Sequence, residues 1–187
     1  MDQPLIDRRT VHEEMDRARD EFHELLGGAS DAGLRGPSAE TRWTNGQLLY
    51  HMLFGYLVVR ALLILVHLLG RLPDRASRGF ARTLNAATRP FDVVNYWGSC
   101  IGATAFTRRR LAWVMDRTVA TLHRRLDHET EASLRRGMHY PTRWDPFFKD
   151  YMTTLDVYHF ATQHFDFHAR QLTLDPHRKP GDHDQHN

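Results

Sequence analysis

The chain has 187 residues, 41% of them hydrophobic and 26% charged, with a formal net charge of +2. That length and apolar content suit a single globular domain whose core needs no staples, and they exclude a disordered or fibrous chain. A near-neutral balance gives no general attraction to nucleic acid. One cysteine, Cys100, excludes both an internal disulfide and a thiolate metal cluster.

The opening stretch, MDQPLIDRRT, is polar and charged, so no secretory leader is expected and a cytoplasmic location is. Residues 8 to 26 then read as an amphipathic first helix, with Val11, Met15, Ala18, Phe22 and Leu25 on its inner stripe and Gly27-Gly28 as its stop. Asp31 to Glu40, with Gly33, Gly36 and Pro37, reads as a loop.

The second helix carries the clearest start signal. Thr44-x-x-Gln47 is a capping box, with Trp43 and Leu48 placed to staple it, and the helix is expected to run to about Leu69. Its apolar length raises a membrane span. Arg60 and His67 oppose that reading, because both sit opposite His51 and give the helix a polar back. The face bearing His51 continues through Val58, Leu62, Leu65 and Leu69 and is expected to be the core face.

Leu72 to Ser99 reads as a long irregular connection holding one short helix closed by Pro90. The aromatic stretch Phe91 to Gly98, with Asn95, Tyr96 and Trp97, is expected to form a loop that either covers the core or walls a pocket. A third helix is expected from Thr104 to Arg136, on an inner stripe of Leu111, Met115, Thr118, Leu122 and Leu126. Its arginines, including Arg108-Arg109-Arg110, are interleaved with Asp116, Asp127, Glu129 and Glu131, which marks a solvated face and argues against nucleic acid. Asp145-Pro146 is expected to open a fourth helix ending near Leu174. Residues 175–187 are nearly without apolar side chains and read as a disordered tail, whose His177, His183 and His186 would bind metal only adventitiously. The expected fold is all-α: one domain over residues 1–174, a four-helix bundle with a long crossover between helices two and three.

Chemistry concentrates near the end of the fourth helix. His164, His168 and Gln171 share one face at helical spacing, and two imidazoles one turn apart can share a metal ion. A chain with 13 histidines yields about one such pair by chance, so a third ligand has to come from elsewhere. His51 lies seven residues into the second helix, about 10 Å at 1.5 Å per residue, and His168 lies about 9 Å from the expected end of the fourth. If those two helices run antiparallel, all three rings reach one level. Gln171 is placed to orient a ligand, Gln47 lies on the same stripe as His51, and Gly55 leaves room one turn beyond it. Asn95, Tyr96 and Trp97 are the candidate pocket residues of the aromatic stretch.

Trp43-Thr44-x-x-Gln47-Leu48-Leu49-x-His51, followed by His164-x-x-x-His168-Ala169-x-Gln171-Leu172, resembles the DinB superfamily over nearly the whole chain. The resemblance implies a four-helix bundle holding a divalent metal, often zinc or nickel, through three histidines, here His51, His164 and His168. It further implies a small-molecule enzyme, with transfer of a low-molecular-weight thiol (mycothiol or bacillithiol) to an electrophile as the first reading. Metal-dependent hydrolysis by a bound water is the second, and a non-catalytic metal-stabilised binding bundle the third. The absence of an Asp or Glu on the inner stripes of helices two and four tilts the choice towards thiol transfer, since hydrolysis wants a general base beside the metal. Exposed helix faces can support a homodimer.

Overall fold

The computed structural model describes residues 7–174, so the stretch read as a disordered tail lies outside the described residues. In chain order the elements are α1 (Arg8–Gly28), α2 (Asp31–Arg35), α3 (Asn45–Leu69), α4 (Asp74–Ala86) and α5 (Thr88–Ala105). They continue as α6 (Arg108–His128), α7 (Glu131–Leu134), β1 (Gly137–His139), β2 (Tyr151–Thr153) and α8 (Thr154–Ala169). The long helices α1, α6, α3 and α8 pack in a closed ring, each touching the next, and form the expected four-helix bundle. The architecture is all-α apart from the two short strands.

Helix ends follow local chemistry. Asp7 caps α1 by accepting from the N–H groups of Arg9 and Thr10, and the helix runs through Gly27 and Gly28 before stopping. The short α2 replaces part of the loop expected there. At α3 the capping box is complete: Thr44 Oγ1 accepts from Gln47 N–H, and Gln47 Oε1 accepts from Thr44 N–H. A second box, Thr153 with Asp156, opens α8. The fourth bundle helix therefore starts about eight residues later than Asp145-Pro146 suggests. The intervening chain forms an antiparallel hairpin, pairing Gly137 with Thr153, Met138 with Met152 and His139 with Tyr151. The third helix is also shorter than expected. It begins after the Thr107 cap and ends at His128.

The inner stripes of α1 and α6 are largely those read from the sequence, with Leu26 buried in place of Leu25 and Val119 added. In α3 the assignment of faces changes. Its deepest row is Leu49, Met52, Tyr56, Val59, Leu63 and Val66, which fills the bundle core. The row below His51, with Val58, Leu62 and Leu65, is only half-buried because it faces a cavity. A third side leaves Ile64 and Leu68 exposed. By length and composition α3 would pass for a membrane span, yet it packs against α5, α6 and α8, and His67 pairs with Glu129. An apolar helix with three differently occupied sides explains why one stripe could not be told from another.

The largest correction concerns the connection between α3 and α6. Residues 91–98 are helical and belong to α5, not to a loop. Pro90 does not close the preceding helix but sits in the first turn of α5, where backbone N–H groups have no helical partner to lose. Helix α5 packs closely on α3, and Gly102 is where it does so: a Cβ there would come within 2.0 Å of the Tyr50 ring. Trp144, on the hairpin loop, stacks on Phe91 at 3.9 Å and donates its indole N–H to Leu84 O. The crossover helices and the hairpin loop thereby close over one side of α3.

Candidate metal centre

Helices α3 and α8 run antiparallel, as the pairing of Gly55 with His164 and of Tyr56 with Thr162 requires. This register brings His51, early in α3, level with His164 and His168, late in α8. The ring centroids stand 5.0 Å (His51–His164), 4.8 Å (His51–His168) and 4.6 Å (His164–His168) apart. All three residues are buried, and one nitrogen of each lies within 4.8 Å of the others. The end of α8 is anchored to the start of α3 by Thr173 N–H donating to Asn45 Oδ1 and by Ala39 N–H donating to Gln171 O.

The second nitrogen of each ring is already used. His51 Nδ1 lies 3.2 Å from Ser99 Oγ, whose own hydrogen goes to Asn95 O, so the imidazole must be the donor. His164 Nδ1 is 2.9 Å from Asp145 Oδ2, and His168 Nδ1 is 2.7 Å from Gln171 Oε1. Each ring donating through Nδ1 leaves a lone pair on Nε2. His164 Nε2 is buried and unpartnered. Burial, followed by the neighbouring imidazoles, holds His51 well below the usual histidine range. The same two causes bring His168 down to about 4, so both are neutral near pH 7. Three Nε2 lone pairs gathered in one buried place want a cation. The donor set fits a divalent metal, and Asp145 gives His164 the carboxylate acceptor that metal-ligating histidines ordinarily have.

The remaining sequence candidates divide. Gln171 orients His168, and Asn95 fixes Ser99. Gly55 does leave space, but the space is taken by the His164 ring. A Cβ there would sit 2.5 Å from His164 Cδ2 and 3.1 Å from its Nε2. Gln47 is spent on the helix cap and is not among the residues around the histidines. Tyr96 stacks outside Trp43 with Arg42 over its ring, and Trp97 is 58% exposed and borders neither space beside the histidines. An irregular stretch would make these three consecutive residues equivalent, whereas the helix separates them by face.

Asp145 and Ser99 hydrogen-bond two of the three histidines and are the candidate site residues that sequence reasoning missed. Asp145-Pro146 looks like a helix start, and Asp145 does accept from Phe147 N–H, but its other oxygen reaches across to His164. Ser99 would have been visible only with α5 recognised as a helix, where Asn95, Ser99 and Gly102 fall on one face.

Two spaces meet at His168. Behind the histidines lies a largely apolar cavity of about 350 Å³, and in front a wider polar basin bordered by Glu40, Arg42, Asp92 and Tyr96. Trp43, Asn95, Phe167 and His168 border both. Trp43 lies over His51 at 4.4 Å, and its buried indole N–H has no partner. No curated protein and no solved structure matches the chain. A family model described as the DinB superfamily matches residues 14–172.

Proposed function

The chain belongs to the DinB superfamily, and from that premise we propose that His51, His164 and His168 hold a zinc or nickel ion that serves transfer of a low-molecular-weight thiol to an electrophilic small molecule. The observation that carries the metal reading is the engagement of all three Nδ1 atoms, which commits three Nε2 lone pairs to one buried point. A divalent ion there supplies a positive field and an open coordination position, which favours the ionised form of a thiol placed beside it.

The residues of this chain do the rest. Ser99, Asp145 and Gln171 fix the ring orientations. Arg42, Glu40 and Asp92 offer charge partners for the hydrophilic body of mycothiol or bacillithiol in the polar basin. Trp43 N–H stands ready to donate to an oxygen developing charge beside His51. In the transfer, the thiol proton leaves to solvent and a sulfur lone pair forms the new S–C bond. The electrophile's leaving group or opened π bond takes the displaced electrons.

Asp145 supports a second reading, because it brings to the cavity wall the carboxylate that hydrolysis would need. Its bond to His164 Nδ1 opposes that use, since a carboxylate already accepting a ring hydrogen makes a poor general base. Incubating the zinc- or nickel-loaded protein with mycothiol or bacillithiol and a panel of electrophiles, then weighing products by mass spectrometry, separates the readings. A metal-dependent thiol adduct is expected. Ester cleavage without thiol would transfer the assignment to hydrolysis, and no metal-dependent product would remove the transferase.

A further inference from the structure

The cavity behind the histidines has a shape of its own. Along α3 it is bordered by His51, Phe54, Val58, Leu62 and Leu65, a run of fifteen residues spanning about 21 Å. Phe80 and Leu84 of α4 and Phe160 of α8 close other sides. Natural interiors keep few voids of this size, and water gains little along a lining that is mostly apolar. About 350 Å³ lies within the range of small-molecule sites.

One residue of the cavity lining away from the histidines carries an unpartnered buried polar atom. Tyr140 lines the cavity, is 1% exposed, and its buried hydroxyl has no partner. Burial, with Asp156 adding to it, pushes the phenol pKa up, so this hydroxyl stays protonated and can donate. Two rings stand between Tyr140 and His164: Tyr140–Phe148 at 5.5 Å, Phe148–Phe160 at 4.7 Å and Phe160–His164 at 5.6 Å. A ligand that follows the α3 border of the cavity from the histidines is elongated.

We propose that the electrophile is an elongated, mostly apolar molecule of alkyl or aryl-alkyl type. It lies along α3 with its reacting end at the three histidines and a hydrogen-bond acceptor at the Tyr140 hydroxyl. The proposal rests on the metal reading for its reacting end and on the cavity for the rest.

Straight-chain hydroxamates test the two parts separately, because the head group chelates a divalent ion and the tail enters whatever space adjoins it. With the zinc-loaded full chain, affinity from acetohydroxamate through butano- and hexano- to octanohydroxamate should rise about fourfold per added methylene. Leu62→Trp should flatten that rise, and an undiminished rise in this variant would place the tail elsewhere and overturn the proposal. Acetohydroxamate binding with no dependence on chain length would overturn the apolar electrophile while sparing the metal site. No hydroxamate binding at all would overturn the metal reading. The cavity is then decided by thermal shifts of metal-free protein: greater stabilisation by 1-octanol than by 1-butanol upholds it, and equal shifts overturn it. A ketone near the far end of the octanoyl chain should add affinity in the natural chain and none in Tyr140→Phe. An equal gain in both would remove the Tyr140 contact.

Discussion

Alanine in place of His164 is expected to abolish the thermal stabilisation that zinc or nickel confers on this protein. A ligand that binds only the folded state stabilises it by about 4 kcal/mol when present at a thousandfold its dissociation constant. For a chain of this size that is roughly 8–16 °C in Tm. With two ligands left, the variant should shift little or not at all. The metal-free baseline should also fall, because Asp145, its side chain only 12% exposed, loses the ring that occupies its inner oxygen. That loss costs about 1–3 kcal/mol. Thermal melts of both proteins with and without metal measure the two effects. Equal metal-induced shifts in both would mean that the ion binds elsewhere.

Gly55→Ala should produce the opposite sign to the one that helix propensity dictates. In a helix interior, alanine is favoured over glycine by about 1 kcal/mol, so an indifferent site would gain stability. Here the added methyl meets His164 Cδ2 at 2.5 Å. The ring has little freedom to retreat, since Asp145 holds its Nδ1 and Phe160 lies 5.6 Å away on the same helix. Overpacking of this kind costs about 1–3 kcal/mol, which outweighs the propensity gain. Displacing the ring should also weaken metal binding by about 10–100-fold, the scale seen when a ligand's supporting contacts are lost. Competition against a chelating dye reads the affinity and denaturant unfolding reads the stability. A variant that is more stable and binds metal as tightly would show that Gly55 is an ordinary helix glycine.

The parts of this molecule legible from sequence are those set by local chemistry. The Thr44–Gln47 box closes within one turn, and the stripes of α1 and α6 repeat at helical spacing over several turns. The shared level of His51, His164 and His168 followed from counting residues between helix ends. That count used Leu174 as an end where α8 stops at Ala169. It still brought the rings together, because the capped start of α3 and the last turn of α8 are tied by Asn45 and Thr173.

What could not be read depends on contacts between distant segments. Asp145 and Ser99 reach the histidines across 19 and 48 residues, and each carries a local signal that points elsewhere, a helix start for one and an aromatic loop for the other. The two faces of α3, core and cavity, are equally apolar. Only the packing of α4, α5 and the hairpin loop against one of them tells them apart. The second capping box, Thr153 to Asp156, was available in the sequence and outweighs Asp145-Pro146 once both are considered, because it satisfies backbone donors reciprocally.

Elemental analysis of purified protein tests the central claim most directly. The full chain with His177, His183 and His186 all changed to alanine removes tail histidines as adventitious ligands, and it should retain about one divalent ion per chain. Adding His51→Ala to that protein should leave it nearly metal-free, whereas equal metal content in the two would contradict a centre built from His51, His164 and His168.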